Sequence, residues 1–384
     1  MKVLVTNQSI KYYSGSEINA VQICEALKSR EIEADIGTFI FGSPLSQVVS
    51  KKGIKVINLL DAFDEPLNYD LVWAHHAPTL AELLYKKNIS DTKIVFSSLS
   101  PIVPLECVPV FHQDIHYFLS HSNENFKVMI RDGVAAEKIH YFPNYVPEKF
   151  FSMARTAHNP VIRTVAVISN HVPAEVRDFA GIARSNNIHV TFYGFEDKQA
   201  YVDENLLLKY HLVISIGKTV QYCLGLKIPV YIYDHFGGPG YLTGENYEFS
   251  EVNNFSGRKS EIIRNGAELF EDIVTGYPKN LGLLDELFER CHRDFCLESN
   301  LDKLLSDVKG IPVTNIKTFR SRNTLAERVY ASYLELQRKN LHLHNVVKAK
   351  DEEIDNTISA YTNTVSWKIT EPLRKVRVLF RKKV

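Results

Sequence analysis

The chain of 384 residues carries no surplus charge: 45 Lys and Arg stand against 45 Asp and Glu. A basic footprint for nucleic acid is therefore missing at whole-chain level, and no nucleic-acid partner is expected. Cysteine is scarce, with five residues at 24, 107, 223, 291 and 296. They are scattered and odd in number, which suits a reducing cytoplasm. Cys291 and Cys296 flank His292, but their spacing fits no zinc pattern and both read as helix residues. No run approaches the roughly 18 apolar residues of a membrane span. The start, MKVLVTNQ, enters a strand without the apolar core of a signal peptide. There is no Asp-x-Asp pair, and no Gly-x-Gly-x-x-Gly follows the first strand, which argues against a dehydrogenase. Gly217-Lys218-Thr219 is not a Walker loop, because position 212 is Leu where that motif needs Gly.

What is present is an alternation of strand and helix patterns over a length that suits two domains. Apolar runs at Lys2–Thr6, Ala34–Phe41, Ile54–Ile57, Leu71–Ala74, Ile94–Phe96, Tyr117–Ser120 and Ile139–Phe142 read as strands, with helices at Glu17–Arg30, Thr79–Lys87 and Glu124–Asp132 between them. Such alternation means a doubly wound parallel sheet, an α/β fold. A boundary follows Pro143-Asn144-Tyr145-Val146-Pro147, and residues 151–163 read as a polar linker. The pattern then restarts: strands at Thr164–Ser169 and His189–Tyr193, helices at Ala174–Ser185, Asn205–Tyr210, Lys259–Phe270 and Leu281–Phe295. The expected organisation is a first Rossmann-like domain over 1–150, a second over 164–310, a cleft between them, and a helical tail over 320–384. Small-molecule sites concentrate in such clefts.

The most informative stretch runs from His211 to Tyr241, HLVISIGKTVQYCLGLKIPVYIYDHFGGPGY. It reads as strand, turn, short helix from Val220 to Leu226, strand from Ile228 to Tyr233, and a glycine loop. Ligands of open parallel sheets bind at the carboxyl ends of strands. A phosphate at the helix start would accept the Gly217 and Lys218 N–H groups and the Thr219 hydroxyl, with the Lys218 ammonium adding charge. Gly237, Gly238 and Gly240 would let backbone approach a ligand closely. The alternative is that Thr219 only caps the helix and the glycines only turn the chain. His75 and His76, at a strand end in Trp73-Ala74-His75-His76-Ala77-Pro78, are candidates for proton traffic near neutral pH or for hydrogen bonds to a substrate hydroxyl. A structural role for both is the alternative. Glu17 and Asp114 are weaker candidates.

Beyond Thr324 the composition is helical, with a rough heptad through Ala326, Val329, Tyr333, Leu336, Asn340, Leu343, Val347, Lys350 and Ile354. It reads either as a seam for self-association over 324–361 or as a solvated helix packed on the body. From Lys368 onward seven basic residues face the single acid Glu371. Pro372 suits a first helical turn, and Ile369, Leu373, Val376 and Phe380 then share a face with Trp367 at its edge. That pattern suits an interfacial helix on anionic lipid, or else a frayed basic end.

These residues resemble a known family. The two-domain plan looks like the GT-B fold, and several motifs are similar to the family 4 (group 1) glycosyltransferases of bacterial surface-polysaccharide biosynthesis. Tyr13-Ser14-Gly15-Ser16-Glu17 stands where that family has a Gly-Gly-x-Glu turn touching the donor phosphate. Leu119-Ser120-His121-Ser122, Asp132-Gly133 and Glu137 to Asn144 resemble the segment closing its first domain. His211 to Tyr241 resembles its donor-binding segment, and Thr364 to Arg374 the tails of enzymes that build surface polysaccharides. The resemblance implies sugar transfer from a nucleotide-sugar to a lipid-linked glycan acceptor, retaining, metal-independent and without cofactor, at the cytoplasmic face of the membrane. It implies donor contacts at Gly15, Ser16, Gly217, Lys218, Thr219, Asp234, His235, Gly237, Gly238, Gly240, Tyr241 and Arg258. The chain departs from the family where two glutamates eight apart are usual; Ile214 and Tyr222 stand there. Ser169-Asn170-His171 replaces the usual Arg and Lys after the second domain's first strand. Lys218, with Arg258, is therefore expected to neutralise the diphosphate. A non-catalytic membrane scaffold and a nucleotide-sugar epimerase are the alternatives.

Overall fold

A computed structural model of the chain describes residues 1–370 apart from 101, 102, 195 and 323; the side chains of 337, 341, 344, 345 and 348 are likewise outside it. The chain forms one compact unit up to Thr324 and a second beyond it. The first unit holds two sheets.

The strands of the first domain are β1 (Lys2–Thr6), β2 (Ser9–Ile10), β3 (Glu33–Thr38), β4 (Ile40–Phe41), β5 (Lys55–Asn58), β6 (Leu71–Ala74), β7 (Lys93–Ser98), β8 (Tyr117–Ser120) and β9 (Ile139–Tyr141). Seven of them form a parallel sheet in the order β5-β3-β1-β6-β7-β8-β9, while β2 and β4 pair apart. Their β-branched and aromatic runs are buried on both faces, the mark of a parallel sheet covered by helices. Helices α1 (Gly15–Lys28), α2 (Leu45–Lys51), α3 (Ala77–Lys86) and α4 (Asn123–Arg131) supply the cover. Chain order reverses between β1 and β6, so the loops after these two strands diverge at that sheet's switch point.

Helix α5 (Glu148–Ser152) leads into the second domain, and residues 153–163 carry no helix or strand. This polar segment is nevertheless pinned: the Arg155 guanidinium donates to the carbonyls of Leu208 and Tyr210 at 2.7 Å each. The second sheet has the order β11-β10-β12-β13-β14, with β10 (Thr164–Ile168), β11 (His189–Tyr193), β12 (Leu212–Ser215), β13 (Val230–Asp234) and β14 (Gly237–Tyr241). Its switch point lies between β10 and β12. Helices α6 (Ala174–Ser185), α7 (Glu204–Leu207), α8 (Lys218–Gly225), α9 (Tyr247–Val252), α10 (Gly266–Leu281) and α11 (Leu284–Phe295) surround it.

Three expectations change here. The glycine run 237–240 is not a loop but the edge strand β14, paired antiparallel to β13. The helix expected from Lys259 begins at Gly266, where the Asn265 side chain accepts from the Ala267 and Glu268 N–H groups and Glu268 closes a capping box. Helix α12 (Leu297–Gly310), expected in the second domain, returns to the first: Leu297, Leu301, Leu304 and Val308 are buried in the same core as Val3, Val5, Ala20 and Leu27. Their three- and four-residue spacing makes one apolar stripe, which the α1 side of the first sheet covers. Helix α13 (Ile316–Arg322) follows it back, with Phe319 packed against Tyr85 and Phe111.

The second unit is the helix α14 (Thr324–Thr362) and the short α15 (Val365–Ile369), whose first turn is capped by the Thr364 hydroxyl accepting from Trp367 N–H. Leu325, Val329, Leu336, Leu343, Val347, Ile354 and Ile358 on α14 are exposed. No helix among the described residues is long and apolar enough to cross a membrane. The basic run of the tail beyond Thr370, from Glu371 through Pro372, Arg374 and Lys375 to Lys383, lies outside the described residues.

Candidate functional site

A cleft of about 340 Å³ opens at the carboxyl ends of the second sheet's central strands. Its floor is Ile168 to His171 at the end of β10, Tyr193 and Gly194 at the end of β11, Ser215, Ile216, Lys218 and Thr219 at and after the end of β12, and Asp234 at the end of β13. Its opposite wall is Tyr12, Tyr13, Gly15 and Ile18 from the first domain. The second sheet's switch point therefore faces the first turn of α1.

Both helices that point into this cleft start without a side-chain cap. Ser14 precedes α1 and Gly217 precedes α8, and neither supplies a cap bond. Gly217 adopts φ 61°, a left-handed backbone that suits glycine. Its own N–H donates to the Phe255 carbonyl at 2.9 Å, so the N–H groups facing the cleft begin at Lys218. Two helix N-termini, from different domains, carry partial positive charge toward one space.

Lys218 lines the cleft and bridges the domains. Its ammonium donates to Asn19 Oδ1 and to Gln22 Oε1, the latter at 2.8 Å, both on α1. It lies 3.9 Å from the Tyr145 ring centroid and 5.6 Å from that of Tyr222. Among the described residues no carboxylate neutralises it, and burial holds its ammonium well below the ordinary lysine range. Gln22 is itself fixed by the Tyr222 hydroxyl at 2.8 Å. Thr219 and Asp234 also line the cleft; Asp234 is buried and its carboxylate meets the His235 ring.

The remaining candidates stand elsewhere. His235 does not line the cleft itself and reaches it through two lining residues, the Asp234 carboxylate and the His171 ring, the latter 5.7 Å away. Gly237 and Gly238 face their own hairpin: a Cβ on Gly237 would come within 2.2 Å of the Ile262 carbonyl oxygen, and one on Gly238 within 2.0 Å of that of Ile232. Gly240 abuts the Tyr231 ring, and the Tyr241 hydroxyl donates to the Ile273 carbonyl. Arg258 is exposed and stacks on Phe236 at 5.3 Å. None of these, nor Ser16, lines the cleft. The Glu17 carboxylate turns back to accept the Lys11 and Tyr12 N–H groups at 2.8 and 2.5 Å, holding the loop that forms the first-domain wall. Asp114 lies near Arg322, at 3.7 Å.

His75 and His76 divide. His76 Nδ1 accepts the Gln8 N–H at 3.0 Å and its Nε2 lies 3.5 Å from Glu106, so it is tied into the frame. His75 is buried, with Nδ1 unpartnered, and opens on a small hollow at the first sheet's strand ends beside Ser97, Ser98, His121 and Asn144. Asn19 and Tyr145, which hold Lys218, line the same hollow. Burial lowers the His75 imidazole to about 3, with lesser contributions from His76 and Lys218, so the ring is neutral at any physiological pH. Ile18 of the first turns of α1 completes the cleft with Tyr12, Tyr193, Gln199, Ala200 and Val202, which carried no signal in the sequence because each sits on a loop or strand end whose partners are distant in the chain.

No protein-family model matches the chain, and no curated protein sequence does. Among solved structures, HepE of Anabaena in complex with UDP and glucose matches with a TM-score of 0.54 at 14% identity, over 81% of this chain and 100% of that one. A glycosyltransferase from Rickettsia africae matches with 0.54 at 12%, over 80% and 97%. A point mutant of TarM from S. aureus, in complex with fondaparinux, α-GlcNAc-glycerol and UDP, matches with 0.54 at 10%, over 80% and 99%. At such identities the likeness speaks to architecture: two Rossmann-like domains facing a cleft, which is the GT-B fold.

Proposed function

We propose that this protein is a glycosyltransferase that binds a nucleotide-sugar in the cleft and moves the sugar to a lipid-linked glycan acceptor during surface-polysaccharide assembly. The observation that carries this reading is that two uncapped helix N-termini face one cleft, which a half-buried lysine without a carboxylate partner among the described residues also lines. Such a place lacks an anion, and a diphosphate supplies one. The GT-B neighbours support the class of donor, since HepE is described with UDP and with UDP-glucose.

In this reading the diphosphate lies against the Lys218 and Thr219 N–H groups, the Thr219 hydroxyl and the first turn of α1 at Gly15. As the bond from the anomeric carbon to the diphosphate oxygen breaks, negative charge grows on the leaving group. The helix N-termini and the Lys218 ammonium stabilise that charge more than they stabilise the ground state, which is what accelerates the step. Protein groups thus supply the counter-charge, in keeping with a metal-independent transfer. Asp234, a buried acceptor at the end of β13, suits hydroxyl groups of the donor rather than its phosphates. His75, neutral and unpartnered at Nδ1, suits a hydrogen bond to a hydroxyl entering from the first domain. Retention of anomeric configuration is proposed with the family-4 resemblance. The basic sequence of the tail supports a position on the cytoplasmic membrane surface in this reading, next to a lipid-linked acceptor.

The test is a thermal-shift screen of the full chain against UDP-, GDP-, dTDP- and CMP-sugars. A ligand at a hundredfold excess over its Kd adds about 2.7 kcal/mol to apparent stability. A shift with one nucleotide class supports the reading, whereas no shift with any of them favours a non-catalytic scaffold.

A further inference from the structure

The chain passes between its two domains twice, and the two passages touch. Outbound, Val146 donates its N–H to the Phe295 carbonyl at 2.8 Å; on the return, Leu297 N–H donates to the Val146 carbonyl at 2.9 Å. Around this crossing stand three metal-ligating side chains: Glu148 at the start of α5, His292 in the last turn of α11, and Cys296 at the junction of α11 and α12. Glu148 Oε2 lies 3.4 Å from His292 Nε2 and 3.1 Å from Cys296 Sγ, and the three atoms are all within 4.8 Å of one another. A fourth donor, Glu298 Oε2, is 3.8 Å from the same sulfur and is oriented by the Glu148 N–H at 2.7 Å.

We propose that Glu148, His292 and Cys296 form a zinc site that staples the two interdomain passages together, with Glu298 or water in the fourth position. Zinc binds His nitrogen and carboxylate oxygen at about 2.0–2.2 Å and thiolate at about 2.3 Å, so neighbouring ligands on a tetrahedron stand roughly 3.3–3.8 Å apart. The recorded separations of 3.1, 3.4 and 3.8 Å already lie close to that range. The donor set of sulfur, nitrogen and oxygen suits zinc and not magnesium or calcium, which take oxygen alone. Access is open on one side only: the His292 and Glu148 side chains are 42% and 47% exposed, while Cys296 is buried. One cation recorded beside the group, the Arg30 guanidinium, is engaged by the Asp302 carboxylate and the Glu298 carbonyl. The site is separate from the cleft, whose lining includes none of these residues. In the sequence Glu148 is not visible as a partner of His292 and Cys296, since it lies 144 positions from His292 and 148 from Cys296.

Binding requires the Cys296 thiol to give its proton to solvent, so affinity falls as pH drops. The site gains a zinc–sulfur bond in exchange for that proton, with no redox change.

The full chain, stripped with a chelator, is titrated with zinc sulfate against a chromogenic competitor, and metal content is then measured after gel filtration. One equivalent per chain is expected, with a raised thermal midpoint. Cys296→Ser and His292→Ala should each weaken binding at least about tenfold, while Cys291→Ser, a buried neighbour outside the set, should not. Cobalt in place of zinc should give thiolate-to-metal charge-transfer absorption that Cys296→Ser removes. His292→Ala, on the open side, carries the test if Cys296→Ser folds poorly. Absence of a bound equivalent, or zinc binding by both ligand variants as tight as that of the native chain, would overturn the site.

Discussion

Lys218→Met should separate two roles that a half-buried lysine can have. The substitution keeps the apolar stem and removes the charge. In the free protein, Lys218 gives two hydrogen bonds to neutral side-chain oxygens and lies over the Tyr145 ring, but it is desolvated and has no carboxylate partner. A charged-donor hydrogen bond contributes about 1.5–3 kcal/mol, and desolvating an ammonium costs a comparable several kcal/mol. The two nearly cancel, so the variant's unfolding free energy should stay within about 1 kcal/mol of the native value, with Gln22 still held by Tyr222. Donor binding has no such cancellation. Losing one charged contact to a diphosphate should weaken it by about 1.5–3 kcal/mol, roughly ten- to 150-fold in Kd. Urea denaturation and calorimetric titration of the donor read the two quantities independently. An unchanged Kd would refute the phosphate role. A stability loss above about 3 kcal/mol would make Lys218 a domain clamp instead.

The glycines of β14 should behave in the opposite way. Gly238→Ala places a methyl group 2.0 Å from the Ile232 carbonyl oxygen and should cost about 3 kcal/mol or more by denaturation, with soluble yield falling alongside. Gly15→Ala meets nothing within 4 Å and should leave stability within about 1 kcal/mol. His75 binds fewer protons folded than unfolded, because burial lowers it from 6.5 to about 3. Stability should therefore fall as pH drops through that interval, by up to about 1.4 kcal/mol per unit from this group, and His75→Gln should flatten the slope measured between pH 6.5 and 4. Deleting residues 366–384 should release the protein from anionic vesicles in a flotation assay and leave donor binding intact; retention on vesicles would remove the tail from the account.

Most strands of the two large sheets were readable because they are short aliphatic or β-branched runs between turn residues. Val230–Asp234 is such a run, whereas its partner Gly237–Tyr241 has none of those residues and was read as a loop. A return strand at a sheet edge is held by its neighbour's backbone, and its glycines answer to the Ile232 and Ile262 carbonyls rather than to a ligand. The cleft was half legible. Lys218 and Thr219 stood out because a charged and a hydroxyl residue open a helix after a strand. Ser169 to His171, Tyr13 and Gly15 entered only through the resemblance, because what makes them one site is the packing of one domain's strand ends against the other's α1. Glu17 shows the limit of reading charge alone: its carboxylate satisfies two loop N–H groups, which no pattern in the sequence encodes.

The most direct test is hydrogen exchange of the full chain with and without the nucleotide-sugar that gives the largest thermal shift. The account predicts protection concentrated in two segments far apart in sequence, 12–18 and 216–222, because the diphosphate bridges the starts of α1 and α8. Protection absent from both segments, or confined to the first sheet, would contradict a donor site between the two helix N-termini.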